Sequence, residues 1–140
     1  QTKITKPEYA ESNNIKKANI KSVFYAEKDL NDVLHTVLQC LSHISDKKYY
    51  GVSVLVDVLR GSQSKKIMDA GLNRITEYAS LKEIDRESLV AIIEWAIDNH
   101  LILQTKGMYP VLHPTYEGLH YNETITANKL KKLLDYLQKN

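Results

Sequence analysis

The sequence has little of what secreted, disulfide-stabilised or membrane proteins need. Its single cysteine, Cys40, excludes a disulfide framework and favours a reducing compartment. The longest uninterrupted apolar run, Leu89–Ile93, is far too short to cross a bilayer. No charged segment followed by an apolar one opens the chain, as it would in a signal peptide. We therefore expect a cytoplasmic protein with no membrane partner.

Motifs for catalysis and cofactor binding are also missing. None of the five glycines begins the G-x-x-x-x-G-K-[ST] pattern of a phosphate-binding loop for ATP. Cys40 and the five histidines lack the spacing of zinc ligands, and no serine or cysteine lies in a nucleophile elbow. These residues predict no catalytic site, no metal site and no cofactor in this stretch of chain.

What the sequence does contain is helical periodicity within a length that fits one domain with arms. Residues 1–28 are polar and lack a sustained period, which is typical of a linker or arm. Asp29 then precedes a clear amphipathic helix as its predicted N-cap. The apolar stripe of this helix consists of Leu30, Val33, Leu34, Val37, Leu38, Leu41 and Ile44.

A second short helix is predicted over Val52–Arg60. Its β-branched residues are equally typical of a buried strand, but Gly61 lies where a left-handed residue would end a helix. Ser62 is then predicted to cap a third short helix, roughly Gln63–Ala70, which Gly71 closes.

The second half of the chain predicts a long helix followed by a hairpin. Asp85 caps a helix that runs to about Asn99 and is apolar on nearly every side, so we expect it to be buried. Leu101–His113 reads as a β-hairpin with a tight turn at Lys106–Gly107. This order of elements predicts a mainly α (α+β) fold, a winged helix with a short β-hairpin wing.

We place the winged-helix domain at residues 29–121 and a C-terminal helix or linker at 122–140. A narrow stripe of leucines runs from Leu130 to Leu137 with lysines beside it. One use of this last helix would be self-association.

Charge alternates along the chain. Residues 60–74 and 128–140 are basic, whereas residues 77–98 are acidic. Each segment taken alone is equally typical of an ordinary solvated surface. If the domain binds DNA, the apolar and acidic helix before the wing is unsuited to the major groove, because DNA phosphates would repel it.

Two groups of residues are therefore candidates for nucleic-acid contact. A helix N-terminus attracts phosphate, and the predicted third helix adds hydroxyls and cations to that end. These residues are Arg60, Ser62, Ser64, Lys65 and Lys66. The alternative is an ordinary N-cap beside solvated lysines.

The predicted wing turn carries Lys106, Met108 and Tyr109. At an exposed tip, aromatic and Met side chains can stack on bases or wedge between them. Alternatively, Tyr109 folds back onto the sheet.

Several segments together resemble a known family. These are L-Q-C-L at 38–41, Y-G-V-S-V-L-V-D-V-L-R-G-S at 50–62, K-K-I at 65–67 and E-G at 117–118. They resemble the RQC domain of RecQ-type DNA helicases of bacterial type. Many relatives carry S-T-Y-G or a similar segment with glycine where this chain has T-E-Y-A at Thr76–Ala79.

The resemblance implies a winged-helix domain that follows two motor domains and a zinc module in an ATP-dependent 3′–5′ DNA helicase. Such a parent protein would use ATP, Mg and a structural Zn, none of them bound by this fragment. The implied partner is double-stranded or forked DNA, with roles in DNA repair, recombination and replication and a location at the nucleoid. We expect the fragment to be a monomer.

Carried over by position, the resemblance assigns phosphate contacts to Arg60, Ser62 and Lys66, with Ser64 and Lys65 as further candidates. It makes the wing, with Met108 and Tyr109 at its tip, a strand-separating edge. A stand-alone winged-helix regulator, or a protein-interaction module without a motor, is the alternative function.

Overall fold

The computed structural model describes residues 24–25, 28–121 and 126–139. Most of the predicted arm, residues 1–23 and 26–27, lies outside this part of the chain. Two short antiparallel sheets and six α-helices are described. They are β1 (Phe24–Tyr25), β2 (Lys28–Asp29), α1 (Leu30–Ser45), α2 (Val52–Arg60), α3 (Lys65–Asp69), α4 (Arg86–Asp98), β3 (Ile102–Gln104), β4 (Leu112–Pro114), α5 (Tyr116–Leu119) and α6 (Ala127–Lys139).

The first two predicted helices are confirmed. Asp29 caps α1 by accepting a hydrogen bond from the Asn31 N–H at 2.9 Å. Helix α2 ends at Gly61, whose φ of 77° lies in the left-handed region. The Ser62 N–H then donates to the Asp57 carbonyl at 2.8 Å, which satisfies an otherwise open carbonyl of the last turn. The strand alternative for Val52–Arg60 is therefore wrong.

The predicted start of the third helix is also wrong. Ser64, not Ser62, caps α3, because the Ser64 Oγ accepts from the Ile67 N–H at 3.4 Å. Ser62 is still part of the exit from α2, since its N–H closes that helix, and its Oγ accepts from the Ser64 N–H at 3.2 Å. Helix α3 is consequently only five residues long.

Helix α4 is buried on most sides, as predicted. Its N-cap Asp85 accepts hydrogen bonds from the Ser88 N–H at 3.0 Å and from the Ser88 hydroxyl at 2.7 Å. Helix α4 packs against α2, α6 and β3. Its buried residues are Leu89, Ile92, Ile93, Trp95 and Ala96.

The hairpin is confirmed, but its tight turn is wrong. Ile102 pairs with Pro114, and Gln104 pairs with Leu112. Thr105 closes the base of the loop, because its N–H donates to the Val111 carbonyl at 2.9 Å and its Oγ1 accepts from the Val111 N–H. Five residues, 106–110, therefore form the tip. This register buries Ile102 and Leu112 together on one face, whereas a two-residue turn at 106–107 would separate them.

The end of the chain completes the same core. Thr126 precedes α6, and its Oγ1 accepts from the Lys129 N–H at 3.2 Å. The buried side chains of α6 are Leu130, Leu133 and Leu137, and they belong to one cluster with the buried residues of α1, α2 and α4. Among the described helices, none is long and apolar enough to cross a membrane.

Candidate nucleic-acid interface

Helix α2 separates the two groups of predicted contact residues. At its start, the Tyr50 carbonyl accepts from the Leu112 N–H of the wing at 2.8 Å, and Gly51 lies against the Pro110 carbonyl. At its end, Gly61 leads into residues 60–66, which we call the basic corner. The ten residue steps from Gly51 to Gly61 span about 15 Å, so the basic corner and the base of the wing lie roughly that far apart.

The three cations of the basic corner differ in availability. The Lys66 side chain is exposed, and its ammonium has no hydrogen-bond or ion-pair partner among the described residues. Lys65 is also exposed, but its Nζ lies 2.6 Å from the Asp69 carboxylate. The Arg60 Nε donates to the Ile84 carbonyl at 3.0 Å. Lys66 is therefore the cation most open to an external anion.

A carboxylate also lies close to Arg60. Hydrogen bonds from the side chain and then the backbone of Ser88 lower the pKa of Asp85, and the nearby positive charge of Arg60 lowers it further. Because its pKa is lowered, the exposed Asp85 carboxylate is ionised at neutral pH. Its negative charge reduces the attraction of Arg60 for a phosphate.

The hydroxyls of the corner are suited to donate to an anion. Ser62 and Ser64 each use the side-chain oxygen as an acceptor for a backbone N–H. A hydroxyl that accepts one hydrogen bond can still donate its own proton. Both serines can therefore add a donor to the corner that carries Lys66.

The loop that follows α3 fixes this corner in place. The Tyr78 hydroxyl lies 3.0 Å from the Gly61 carbonyl and 2.9 Å from the Ser62 carbonyl, and it donates to them. The Ala79 N–H donates to the Val58 carbonyl, and the Leu81 N–H donates to the Leu59 carbonyl, both at 2.9 Å. The last turn of α2 and the first residues of the corner are thus held by residues 78–81.

Sequence reasoning missed the hydrogen bonds of Tyr78 to the corner. One sequence signal pointed to this loop. Ala79 is the last residue of the T-E-Y-A segment, where many relatives have glycine. Its φ of 64° lies in the left-handed region that glycine adopts most easily. The loop is also tied to α1, because the His43 Nδ1 lies 2.8 Å from the Glu77 carboxylate.

The wing tip presents its side chains to solvent. Met108 is 83% exposed and Tyr109 is 85% exposed, so Tyr109 does not fold back onto the sheet. Lys106 is exposed as well, and its ammonium has no partner among the described residues. Gly107 supplies the φ of 114° at which this loop turns.

A second aromatic group lies at the side of the wing. The rings of Tyr49 and His113 pack in a tilted arrangement, with centroids 3.9 Å apart and planes at 30° to each other. Leu103 is paired directly with His113 across the two strands. No local pattern predicts this group, because Tyr49 and His113 are far apart in the chain and meet where β4 packs against the segment before α2.

Cys40 is free and buried in the core. Burial, and secondarily the charge of Glu77, raise the pKa of the Cys40 thiol far above its ordinary range, so the reactive thiolate is disfavoured. Within residues 24–25, 28–121 and 126–139, no three side chains of His, Cys, Asp or Glu are grouped so as to hold a metal ion.

Comparison with known proteins places these features in a family. The family model of the RQC domain matches residues 25–133, which is most of the chain. This chain belongs to the RQC domain family. A similar curated protein is the ATP-dependent DNA helicase RecQ of Bacillus subtilis (strain 168), which is 28% identical over 93 residues. That match covers 66% of this chain but only 15% of the relative's length.

The structure explains why glycine follows Glu117 in the E-G pair. A Cβ added to Gly118 would lie 2.1 Å from the Leu101 carbonyl oxygen, which no side chain can tolerate without backbone movement. Gly118 therefore lets α5 pack directly against the chain as it enters β3. The glycine of this RQC domain positions the base of the wing.

Proposed function

We propose that this chain is the DNA-binding winged-helix domain of a RecQ-type ATP-dependent DNA helicase. It binds duplex DNA at a single-strand junction through phosphate contacts, and the wing supports strand separation. The observation that carries the proposal is the pair of exposed elements at opposite ends of α2. One is a hydrogen-bonded corner with an unpaired lysine, and the other is a loop with an exposed Met and Tyr.

The basic corner is suited to phosphate because its donors are already held in place. Lys66 contributes an unpaired ammonium, and Ser62 and Ser64 contribute hydroxyl donors. Arg60 and Lys65 add positive charge that Asp85 and Asp69 partly offset. Helix α3 is too short to contribute much macrodipole, so side chains supply most of the attraction. Such contacts position DNA without reading its sequence.

The wing tip is suited to bases. Met108 and Tyr109 expose apolar surface that contributes nothing to the core. Side chains of this kind stack on bases or wedge between them, and base stacking on an aromatic ring stabilises a complex by about 1–3 kcal/mol. The spacing of about 15 Å along α2 corresponds to about four or five base pairs at 3.4 Å each. If the corner binds the duplex four or five base pairs from the junction, the wing tip lies at the junction itself.

The proposal extends to a longer parent protein with motor domains that use ATP and Mg and with a structural Zn module. The similarity to the ATP-dependent DNA helicase RecQ of Bacillus subtilis supports this, although the chain spans only 15% of that protein's length. The setting is DNA repair, recombination or replication at the nucleoid in the cytoplasm. A monomeric domain is supported by α6, because its leucines are buried against the rest of the same chain.

The salt dependence of binding tests the phosphate contacts. We expect Lys66→Ala to weaken binding to forked duplexes of any sequence and to lower the slope of log K against log salt by about one. Fluorescence anisotropy at several salt concentrations measures both quantities. Lys131→Ala removes the same charge from an exposed position on α6 and should leave the slope nearly unchanged. An unchanged slope for Lys66→Ala, or an equal loss for both variants, would remove Lys66 from the interface.

A further inference from the structure

The outward face of the wing carries an aromatic surface that the proposed phosphate and tip contacts do not use. Side chains alternate along strands, so Ile102 and Leu112 face the core while Leu103 and His113 face outward. The Tyr49 ring packs against His113 from the segment before α2. Tyr49 is 47% exposed and Leu103 is 55% exposed. We call Tyr49, Leu103 and His113 the wing platform.

The chain segments that form the wing platform carry lysines and no carboxylates, although exposed Asp46 precedes Lys47, and Glu94 and Asp98 of α4 line a surface pocket with Gln104. Lys47 and Lys48 directly precede Tyr49 and are exposed, and Lys106 is exposed at the tip. No Asp or Glu occurs in residues 47–56 or 99–116, the segments that form the wing and its flank. An apolar patch with this surrounding is unsuited to a basic or cationic partner. It matches a ligand that combines flat apolar surfaces with negative charge.

Single-stranded DNA is a ligand of that kind. Proteins that bind it combine a positively charged path for the backbone with aromatic side chains on which successive bases stack. A pair of rings fixed against each other loses little freedom when a base packs on it. His113 is four residues from Tyr109, a reach of at most about 14 Å in extended chain, so a strand leaving the tip can meet the platform.

We propose that the wing platform binds an unpaired base of single-stranded DNA, with Tyr49 as the stacking surface and Lys47 and Lys48 beside the backbone. This inference rests on the proposed function, because it assigns a path to one of the strands that the wing separates. It differs from the phosphate contacts of the basic corner in ligand and in location. The two can therefore fail independently.

The test compares two ligands and two substitutions. Binding of a fluorescent oligothymidylate and of a blunt duplex is measured by anisotropy for wild type, Tyr49→Leu and Tyr49→Phe. We expect Tyr49→Leu to lose about fivefold or more in affinity for the single strand, whereas Tyr49→Phe keeps the ring and the affinity. Both variants should bind the blunt duplex as wild type does.

Equal affinity of wild type and Tyr49→Leu for the single strand would overturn the proposal, as would a parallel loss for duplex. Wild-type binding to the single strand without binding to duplex would contradict the proposed function and leave the platform standing. If Tyr49→Leu does not fold, NMR of the wild type decides, because stacking must shift the ring signals of Tyr49 and His113 when oligothymidylate is added. Sedimentation showing a dimer that Tyr49→Leu dissociates would mean that the face binds a second copy, and the proposal would fail.

Discussion

The basic corner and the wing tip are built in opposite ways. Several hydrogen bonds fix the backbone of the corner, from the Tyr78 hydroxyl, from the Ala79 and Leu81 N–H groups and from the closure of α2 at Ser62. The tip projects beyond the Thr105–Val111 hydrogen bonds at its base, and its large side chains are almost fully exposed. The corner is polar and held by hydrogen bonds, whereas the tip exposes Met108 and Tyr109 and touches the core only where the Pro110 carbonyl lies against Gly51.

The difference fits the two ligands that we propose. A phosphate has fixed geometry and charge, so donors that are already positioned bind it with little loss of freedom. Bases at a junction present flat faces in many orientations, and exposed Met and aromatic side chains can adapt to them. The two regions can therefore be disturbed separately, and substitutions that do so measure how far each depends on its support.

The largest effect is expected where the wing joins the core. Gly118→Ala places a Cβ 2.1 Å from the Leu101 carbonyl oxygen, so α5 or the entry to β3 must move. Overpacking against backbone typically costs up to about 3 kcal/mol, and we expect a loss of stability of that order. Urea denaturation measures the free energy of unfolding, and the distortion should reach the wing and not the basic corner.

Gly71→Ala is the matched control for this substitution. Gly71 has a φ of 72°, but nothing lies within 4 Å of an added Cβ. Its cost should be limited to backbone strain, about 1–2 kcal/mol. If Gly118→Ala costs no more than Gly71→Ala, then close packing at Gly118 does not hold the wing.

Much of this fold follows from the sequence, because helical periodicity and caps are local signals. Asp29, Gly61 and Asp85 each end or begin a helix where the sequence predicts. The start of α3 could not be predicted in the same way. Two serines stand two residues apart, and only the use of the Ser62 N–H by α2 decides between them. The hairpin register was missed for a similar reason, since burial of Leu112 overrode the turn signal at Lys106–Gly107.

The residues of the candidate site also divide into those that local sequence predicts and those that only tertiary contacts reveal. Lys66, Met108 and Tyr109 could be named from residue type and position, and the structure places all three at the surface. Residues that act through tertiary contact could not. Tyr78 reaches the corner from 16 residues away in the chain, and the hairpin brings His113 to Tyr49. No local pattern reports either contact.

The second prediction removes the support of the basic corner. Tyr78→Phe deletes one hydroxyl that donates to the Gly61 and Ser62 carbonyls and leaves both carbonyls part-buried without that donor. We expect a loss of about 1–2 kcal/mol in stability. Duplex affinity should fall as well, because Ser62 and Lys66 lose their fixed positions, whereas binding of oligothymidylate should not change.

Tyr116→Phe serves as the control, because Tyr116 is exposed and its hydroxyl has no partner among the described residues. It should change neither stability nor affinity. Duplex binding that is unaffected by Tyr78→Phe would mean that the corner does not depend on this support. The hydrogen bonds that hold the corner would then have no role in binding duplex DNA.

The smallest effect is expected at Ala79, and it has the opposite sign. Its φ of 64° costs an L-residue about 1–2 kcal/mol, which Ala79→Gly relieves. Glycine also has greater freedom in the unfolded chain, which offsets about 0.4–1 kcal/mol of that gain. The net expectation is a stabilisation between zero and about 1.5 kcal/mol, measured by urea denaturation.

His100→Gly provides an internal comparison, because His100 has the same φ of 64° and lies next to the wing. Both substitutions relieve the same backbone strain, so their effects on stability should be similar. Only Ala79→Gly acts beside the basic corner, where the Ala79 Cβ lies 2.7 Å from the position of a Cβ on Gly61. A destabilising Ala79→Gly beside a stabilising His100→Gly would show that the Ala79 methyl packs against Gly61 and helps to hold the corner.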